Sequence, residues 1–301
     1  ADALTFHRSQ LAASLGAASR EEMSLADATS VECTEPTATG FGQVVIRDAG
    51  DTDLAIIRFA PGQDAQAFTR AVEAALRGEA PTASEGVRGL DFTAVDVETA
   101  NDNWGSVCQI GAVRFRDGEE TESRTWLCTP PPGLEHFDEV NVGIHGITAE
   151  DVADASSFAD AAAELFEFLG SDTLVAHNAQ FDSTALRSGL KKAEATIPKI
   201  RLACSLALAR DASRTGIIDV ANHKLPTVAS CIGSTEFHHH EATADARAAG
   251  EIVSALARLF GHSGSIEDLF STREFALGTM SEESIIPVLR ANTAPCLLYT
   301  S

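Results

Sequence analysis

Apolar residues fall along this chain in short runs broken by turn residues. Leu4 to His7, Gln43 to Ile46 and Leu54 to Phe59 read as strands, and Asp48-Ala49-Gly50-Asp51 between the last two reads as a hairpin turn. From Gln63 to Arg77 the period changes: Phe68, Val72, Ala75 and Leu76 recur at helical spacing. Residues 1–76 are therefore expected to form a small β-rich domain closed by one helix, resembling bacterial pleckstrin-homology-like modules in shape only. Residues 77–90, rich in Gly, Ala, Ser and Pro, read as a linker.

A second domain is expected over 91–262. It opens with a β-meander: Phe92 to Thr99, Val107 to Phe115 and Glu122 to Leu127. A loop containing Ile144-His145-Gly146-Ile147-Thr148 precedes a helix capped by Thr148 or Ser157, lined by Phe158, Ala162, Leu165, Phe166 and Leu169 and stopped by Gly170. Thr173 to Ala176 predicts a buried strand and the segment through Leu190 a helix with Asp182 in its first turn. Ile200 to Cys204 predicts another strand, and helices follow near Leu206, after Asn222 and from Glu241 onward.

The first strand of this domain ends unusually. Asp96 and Glu98 are spaced by one residue, so on a strand both face one side and present two hard oxygen ligands together. Taken alone, the pair suits equally a strand running out into a solvated acidic turn. Asp182 at a strand-to-helix junction is placed where ligands collect in α/β sheets, although it also suits a residue complementing a helix dipole. His240 lies five residues before Asp245, so both can point into one cleft, while the run His238-His239-His240 also fits a metal-binding tract or an ordinary loop.

Composition narrows the classes. With 301 residues and 44% hydrophobic content the chain can bury a proper core, and no apolar run approaches the roughly 18 residues needed to span a bilayer. No basic-then-apolar leader opens the chain, so a cytoplasmic location without membrane partners is expected. Cys33, Cys108, Cys128, Cys204, Cys231 and Cys296 are widely spaced, which suggests neither a zinc site nor a disulfide framework. A formal charge of -22 opposes a general electrostatic grip on nucleic acid. One stretch departs from that balance: Arg187 to Lys224 holds eight basic residues against three acidic ones and includes all four lysines of the chain. It reads as a solvated face or as a strand-tracking surface.

Asp96, Glu98, Asp182 and Asp245, with His240 five residues before the last, resemble the signature of DEDDh-type 3′-to-5′ exonucleases similar to the epsilon subunit of DNA polymerase III. The blocks Asp-Val-Glu-Thr-Ala-Asn, Ser-Val-Cys-Gln-Ile-Gly, Ile-His-Gly-Ile-Thr, Leu-Val-Ala-His-Asn-Ala-Gln-Phe-Asp and His-Glu-Ala-Thr-Ala-Asp-Ala-Arg occur in that family's order across about residues 90–260. The resemblance implies an α/β fold: a ribonuclease H-like domain with a central mixed sheet. It implies that the four acids hold two divalent cations, Mg²⁺ or Mn²⁺, and that His240 is the general base. A sister subtype uses tyrosine there, but the sole tyrosine is Tyr299, at the far end of the chain. Thr99, His145, Asn178 and Phe181 are implied as contacts for the terminal nucleotide. The implied substrate is a single-stranded DNA 3′ end, with DNA polymerase III as a partner. An RNase T-like or oligoribonuclease-like activity on RNA and a non-catalytic binding module are the alternatives. Residues 263–295 read as a truncated C-terminal extension, and Cys296-Leu297-Leu298-Tyr299-Thr300-Ser301 reads as translated sequencing adapter.

Overall fold

The structure is a computed structural model that describes residues 3–7, 20–37, 40–59, 65–77, 86–234 and 240–291. It divides into two compact units, Ala1–Glu85 and Gly86–Ser301. The suspected adapter residues lie outside the described residues, as do His238 and His239.

In the first unit β1 (Ala3–His7) pairs antiparallel with β2 (Arg20–Ser24). The strands β3 (Ala28–Thr34), β4 (Gly42–Asp48) and β5 (Asp53–Phe59) form a second, antiparallel sheet in that order. The helix α1 (Ala65–Leu76) brings Val72 and Phe68 against Leu25, Ile46 and Ile57. This is the small β domain with one closing helix, and two of its strands, β2 and β3, have no counterpart among the sequence-based expectations.

The second unit is built on one mixed sheet. β6 (Phe92–Thr99), β7 (Val107–Arg116) and β8 (Glu119–Thr129) form the meander. The chain then passes through α2 (Glu139–His145), β9 (Ser156–Ser157), α3 (Phe158–Leu169), β10 (Leu174–Ala176) and α4 (Ala179–Lys192). Next come β11 (Ile200–Cys204), α5 (Ser205–Arg214), α6 (Leu225–Cys231), α7 (Ala242–Leu259) and α8 (Ile266–Thr272). Four short strands close the described chain: β12 (Phe275–Ala276), β13 (Gly278–Met280), β14 (Ile285–Ile286) and β15 (Leu289–Arg290). The sheet order is β14-β13-β11-β10-β6-β7-β8-β9. β6 is parallel to β10 and β10 to β11, whereas β6 is antiparallel to β7. This is the α/β architecture with a central mixed sheet that the family resemblance implies.

Because β6 sits mid-sheet with helices on both faces, Phe92, Ala94, Val95 and Val97 are buried as a near-continuous apolar run. Two cores result: Phe92, Phe115, Leu256 and Phe270 on one side, and Val95, Leu165, Leu186 and Leu202 on the other. Ser157 caps α3 by accepting the Asp160 amide, so the choice left open in the sequence falls to Ser157; Thr148 instead bonds Asp151.

Three expectations need correction. His145 is not in a loop: it ends α2, a helix without a buried residue and therefore without the amphipathic stripe that reveals helices in sequence. Unit packing starts earlier than Leu90, since Val87 is already buried in the core. Residues 263–291 are not an appended extension: α8 buries Ile266, Leu269 and Phe270, and β13 pairs antiparallel with β11 inside the main sheet.

Candidate active site

The parallel strands β6, β10 and β11 place their C-terminal ends on one edge, and that edge gathers the acidic residues. Asp96 and Glu98 close β6, where the register with β7 shifts between Glu98 and Thr99. Such a bulge re-aims the side chains beside it. Asp182 enters from the first turn of α4 and is 1% exposed. Asp245 enters from the first turn of α7, and His240 from the turn before it.

The approach of α7 depends on a residue with no side chain. Gly111 of β7 is paired with Asp96, and a Cβ there would collide with the backbone of Ala242 and Thr243. Gln109, paired with Glu98, accepts the Ala242 amide through Oε1 at 3.0 Å and so fixes the helix start laterally. Glu241 caps the helix, accepting the amides of Thr243 (3.2 Å) and Ala244 (2.8 Å). His240 adopts a left-handed backbone (φ 74°), and its amide donates to Asp245 Oδ2 at 3.2 Å. Ligand atoms of Glu98, His240 and Asp245 consequently lie within 4.8 Å of one another.

Electrostatically this edge is unfavourable as it stands. Burial, then the charges of Asp182, Glu98, Asp245 and Glu241, hold the Asp96 carboxyl well above the usual carboxylate range. Burial, then the charges of Asp245, Asp182 and Glu241, push Glu98 up to about 8. Asp182 is pushed up to about 7, by burial first and by Asp245, against opposing hydrogen bonds from its own and the Val97 amides. One Asp182 oxygen, Oδ1, is buried without a hydrogen-bond partner among the described residues. Buried polar atoms are normally satisfied, so this group of oxygens fits divalent cations: hard, oxygen-rich and short of positive charge.

The remaining site residues divide. Glu98, Thr99, His145 and Phe181 line one cleft of about 390 Å³ together with Asn101, Asp102, Trp104, Asn141 and Ile144. The Thr99 carbonyl accepts from Asn141 Nδ2 at 2.8 Å and from His145 Nε2 at 3.2 Å, while His145 Nδ1 accepts the Ile147 amide at 3.0 Å. With one ring nitrogen donating and the other accepting, His145 is held as neutral imidazole, and burial lowers its pKa in the same sense. Asn178 does not line this cleft. It stands in the left-handed region (φ 83°) at the start of α4 and lines a smaller pocket of about 150 Å³ with Gln180, Cys204, Arg210 and Pro287.

The basic stretch is dispersed. Arg187 donates to the carbonyls of Ser281 and Glu282, Arg201 pairs with Glu267, and Arg214 pairs with Asp211. None of its members lines the 390 Å³ cleft among the described residues. Gly111, Gln109, Glu241 and Asn141 are the positioning residues that sequence reasoning missed. An isolated glycine within a strand pattern, the usual mark of close backbone approach, was the available signal for Gly111.

Residues 93–253 match the RNase_T family, described as exonuclease. A DNA polymerase III PolC-type protein of Oceanobacillus iheyensis is 28% identical over 169 residues, covering 56% of this chain and 11% of that protein. A second, from Caldanaerobacter subterraneus subsp. tengcongensis, is 30% identical over 178 residues, covering 58% and 12%. The chain thus spans 11% and 12% of the length of these two relatives. Among solved structures, exonuclease I aligns with a TM-score of 0.49 at 18% identity, covering 62% of this chain and 44% of that one. Exonuclease X in complex with 5′ overhanging duplex DNA aligns with a TM-score of 0.41 at 22% identity, covering 57% and 95%.

Proposed function

The chain belongs to the RNase_T exonuclease family, and on that premise we propose that it is a metal-dependent 3′-to-5′ exonuclease that hydrolyses phosphodiester bonds at single-stranded DNA 3′ ends and releases nucleoside monophosphates. The observation that carries the reading is the gathering of Asp96 and Glu98 at the end of β6, Asp182 in the first turn of α4 and Asp245 in the first turn of α7 on one sheet edge, with Asp182 Oδ1 buried and without a hydrogen-bond partner among the described residues. A purely structural cluster would be paired with cations from the chain itself, because an uncompensated buried charge costs several kcal/mol, roughly 3–5 for a broken pair.

In this reading Asp96, Glu98, Asp182 and Asp245 hold two divalent cations, Mg²⁺ or Mn²⁺. When bound, such ions lower the pKa of water and offset the charge that develops on the phosphate. His240, before α7 and beside Asp245, accepts the proton of the attacking water. The neutral His145 and Asn141 hold the Thr99 backbone at the mouth of the cleft, where the terminal nucleotide is received. Phe181 supplies an apolar wall. The relatives named as PolC-type polymerases support an association with DNA polymerase III as part of the same proposal.

The test is degradation of 3′-labelled and 5′-labelled DNA and RNA oligonucleotides with Mg²⁺, Mn²⁺ or EDTA. A 3′ label released at once as mononucleotide, a 5′-labelled ladder that shortens stepwise, and no reaction in EDTA are expected. Immediate release of the 5′ label, or equal reaction in EDTA, refutes the proposal. Faster cleavage of RNA than DNA assigns the site to ribonucleic ends instead.

A further inference from the structure

On the nuclease reading a chain with a formal charge of -22 has to hold a polyanion, and among the described residues no lysine or arginine lines the cleft next to the carboxylates. The usual source of affinity, displacement of counterions by basic side chains, is thus not supplied by the described lining of this cleft. The cleft instead carries an exposed aromatic. Trp104 is 49% exposed and borders the same space as Glu98 and Thr99. Its ring meets Phe181 edge to face, with centroids 5.6 Å apart at 61°, and both residues line the cleft. Ile144, also exposed, lines the cleft with it.

The loop that carries Trp104 is built to be rigid. Asn101 donates through Nδ2 to the carbonyls of Leu134 (3.0 Å) and His136 (2.6 Å). Asn101 Oδ1 accepts the Asn103 amide, and Asn103 Oδ1 accepts the Gly105 amide, both at 3.0 Å. Ser106 Oγ donates to the Asn103 carbonyl at 2.7 Å. Gly105 closes the loop against α4, where a Cβ would stand 3.1 Å from the Gly189 amide nitrogen. A large aromatic held out to solvent by a pre-ordered polar loop loses little entropy on accepting a flat partner.

From this arrangement we infer that Trp104 is a specificity-determining residue whose indole face stacks on a base of the 3′-terminal dinucleotide, so that base stacking replaces cationic phosphate contacts as the source of affinity. The inference rests on the nuclease reading of the cleft. Stacking on an aromatic contributes about 1–3 kcal/mol per base and tolerates any base, which suits an enzyme that accepts ends of any sequence. A base still paired in a duplex cannot offer its face, so the same contact favours unpaired ends.

The test compares an eight-residue deoxythymidine oligonucleotide with one that is abasic at its last two positions. For the unaltered protein kcat/KM is expected to be roughly 5–150-fold higher on the base-bearing end, the factor corresponding to that stacking energy. In Trp104→Ala the ratio is expected to fall to near 1, and Trp104→Phe should restore most of it. An equal ratio in the unaltered protein and Trp104→Ala overturns the inference, even where both cleave. Binding is read separately in EDTA, without turnover: the oligonucleotide should quench tryptophan emission in the unaltered protein but not in Trp104→Phe, where Trp126 alone emits. Quenching that persists in Trp104→Phe, or binding by fluorescence anisotropy of a labelled oligonucleotide without quenching, overturns the inference. Finally, the log-log dependence of binding on salt should correspond to fewer than about two phosphate contacts, whereas a slope equivalent to six or more restores a cationic track and rejects the stacking account. Should the nuclease reading alone fail, cleavage is absent in every variant while the quenching still depends on Trp104.

Discussion

Asp182 and Asp211 are both 1% exposed, and the two carboxyls are treated in opposite ways. Around Asp211, Oδ1 accepts from Arg214 (2.8 Å) and from Arg290, and Oδ2 accepts from Arg273 Nε at 2.7 Å. Burial raises this carboxyl, but the three guanidinium groups lower it further, so it ends below its ordinary value. Arg273 also stacks over Phe260 and Arg290 over Phe275, which fastens the last described strands to α5. Around Asp182 the neighbouring charges are other carboxylates, and its pKa moves up to about 7. A buried acid supplied with arginines by its own chain is structural. One surrounded by further acids lacks that compensation from its own neighbours, which is the basis for proposing a cation there.

The sharpest way to break this contrast is substitution at each centre. Asp182→Asn keeps an acceptor for the Val97 amide and removes the charge, so cleavage should fall by at least about a thousandfold, the scale of losing a group the reaction needs. At the same time the cation-free protein should become more stable, on the order of 2 kcal/mol, because a buried charge under repulsion is gone. Denaturant melts beside single-turnover rates report both. Asp211→Ala should do the reverse: lose about 3 kcal/mol by stranding its guanidinium partners, with cleavage per folded molecule retained. A loss of activity without a loss of stability in Asp211→Ala would dissolve the distinction.

pH sharpens the comparison next. Glu98 and Asp182, raised in the folded state, bind more protons folded than unfolded between about pH 4 and 8. Stability of the cation-free protein should therefore fall as pH rises through that window. Asp211 has the opposite sign: its contribution is complete above the ordinary aspartate pKa and is lost only as pH falls toward its depressed value. Melts in EDTA across pH 4 to 8 should show the decline in unaltered protein and a reduced one in Asp182→Asn.

Smaller effects probe the supports. Gly111→Ala should cost about 1–3 kcal/mol by overpacking and lower cleavage by roughly ten- to a hundredfold, since it displaces the helix start carrying His240 and Asp245. Comparing rates with the folded fraction separates the two losses. Glu241→Ala removes the α7 cap and should cost about 1 kcal/mol, which Glu241→Gln should largely spare.

Much of this contrast was legible in the sequence on one side only. The acids, each at a strand end or helix start, stand out because their spacing violates the apolar pattern around them. Asp211 stands out in nothing: its partners Arg273 and Arg290 are 62 and 79 residues away, and only folding brings them together. The long strands β6 and β7 and the helix α7 follow their periodicity, whereas β12 to β15, two or three residues each, are too short to have one. The helix α2 escaped notice because its Val140 and Ile144 face solvent rather than a core. Asn178 belongs to the motif yet faces another pocket, since a left-handed backbone at the strand-to-helix turn redirects it. Trp104 carried a faint signal, a large aromatic within an otherwise polar loop.

The most direct examination of the contrast is a thermal melt at pH 8 of the unaltered protein and of Asp182→Asn, each in EDTA and in excess Mn²⁺. In EDTA Asp182→Asn should melt higher. In Mn²⁺ at about a hundred times its dissociation constant the unaltered protein should gain about 2.7 kcal/mol and overtake the variant, which gains little. Equal responses of the two proteins to Mn²⁺, or a variant less stable than the unaltered protein in EDTA, would show that the buried carboxylates are not held in wait for a cation.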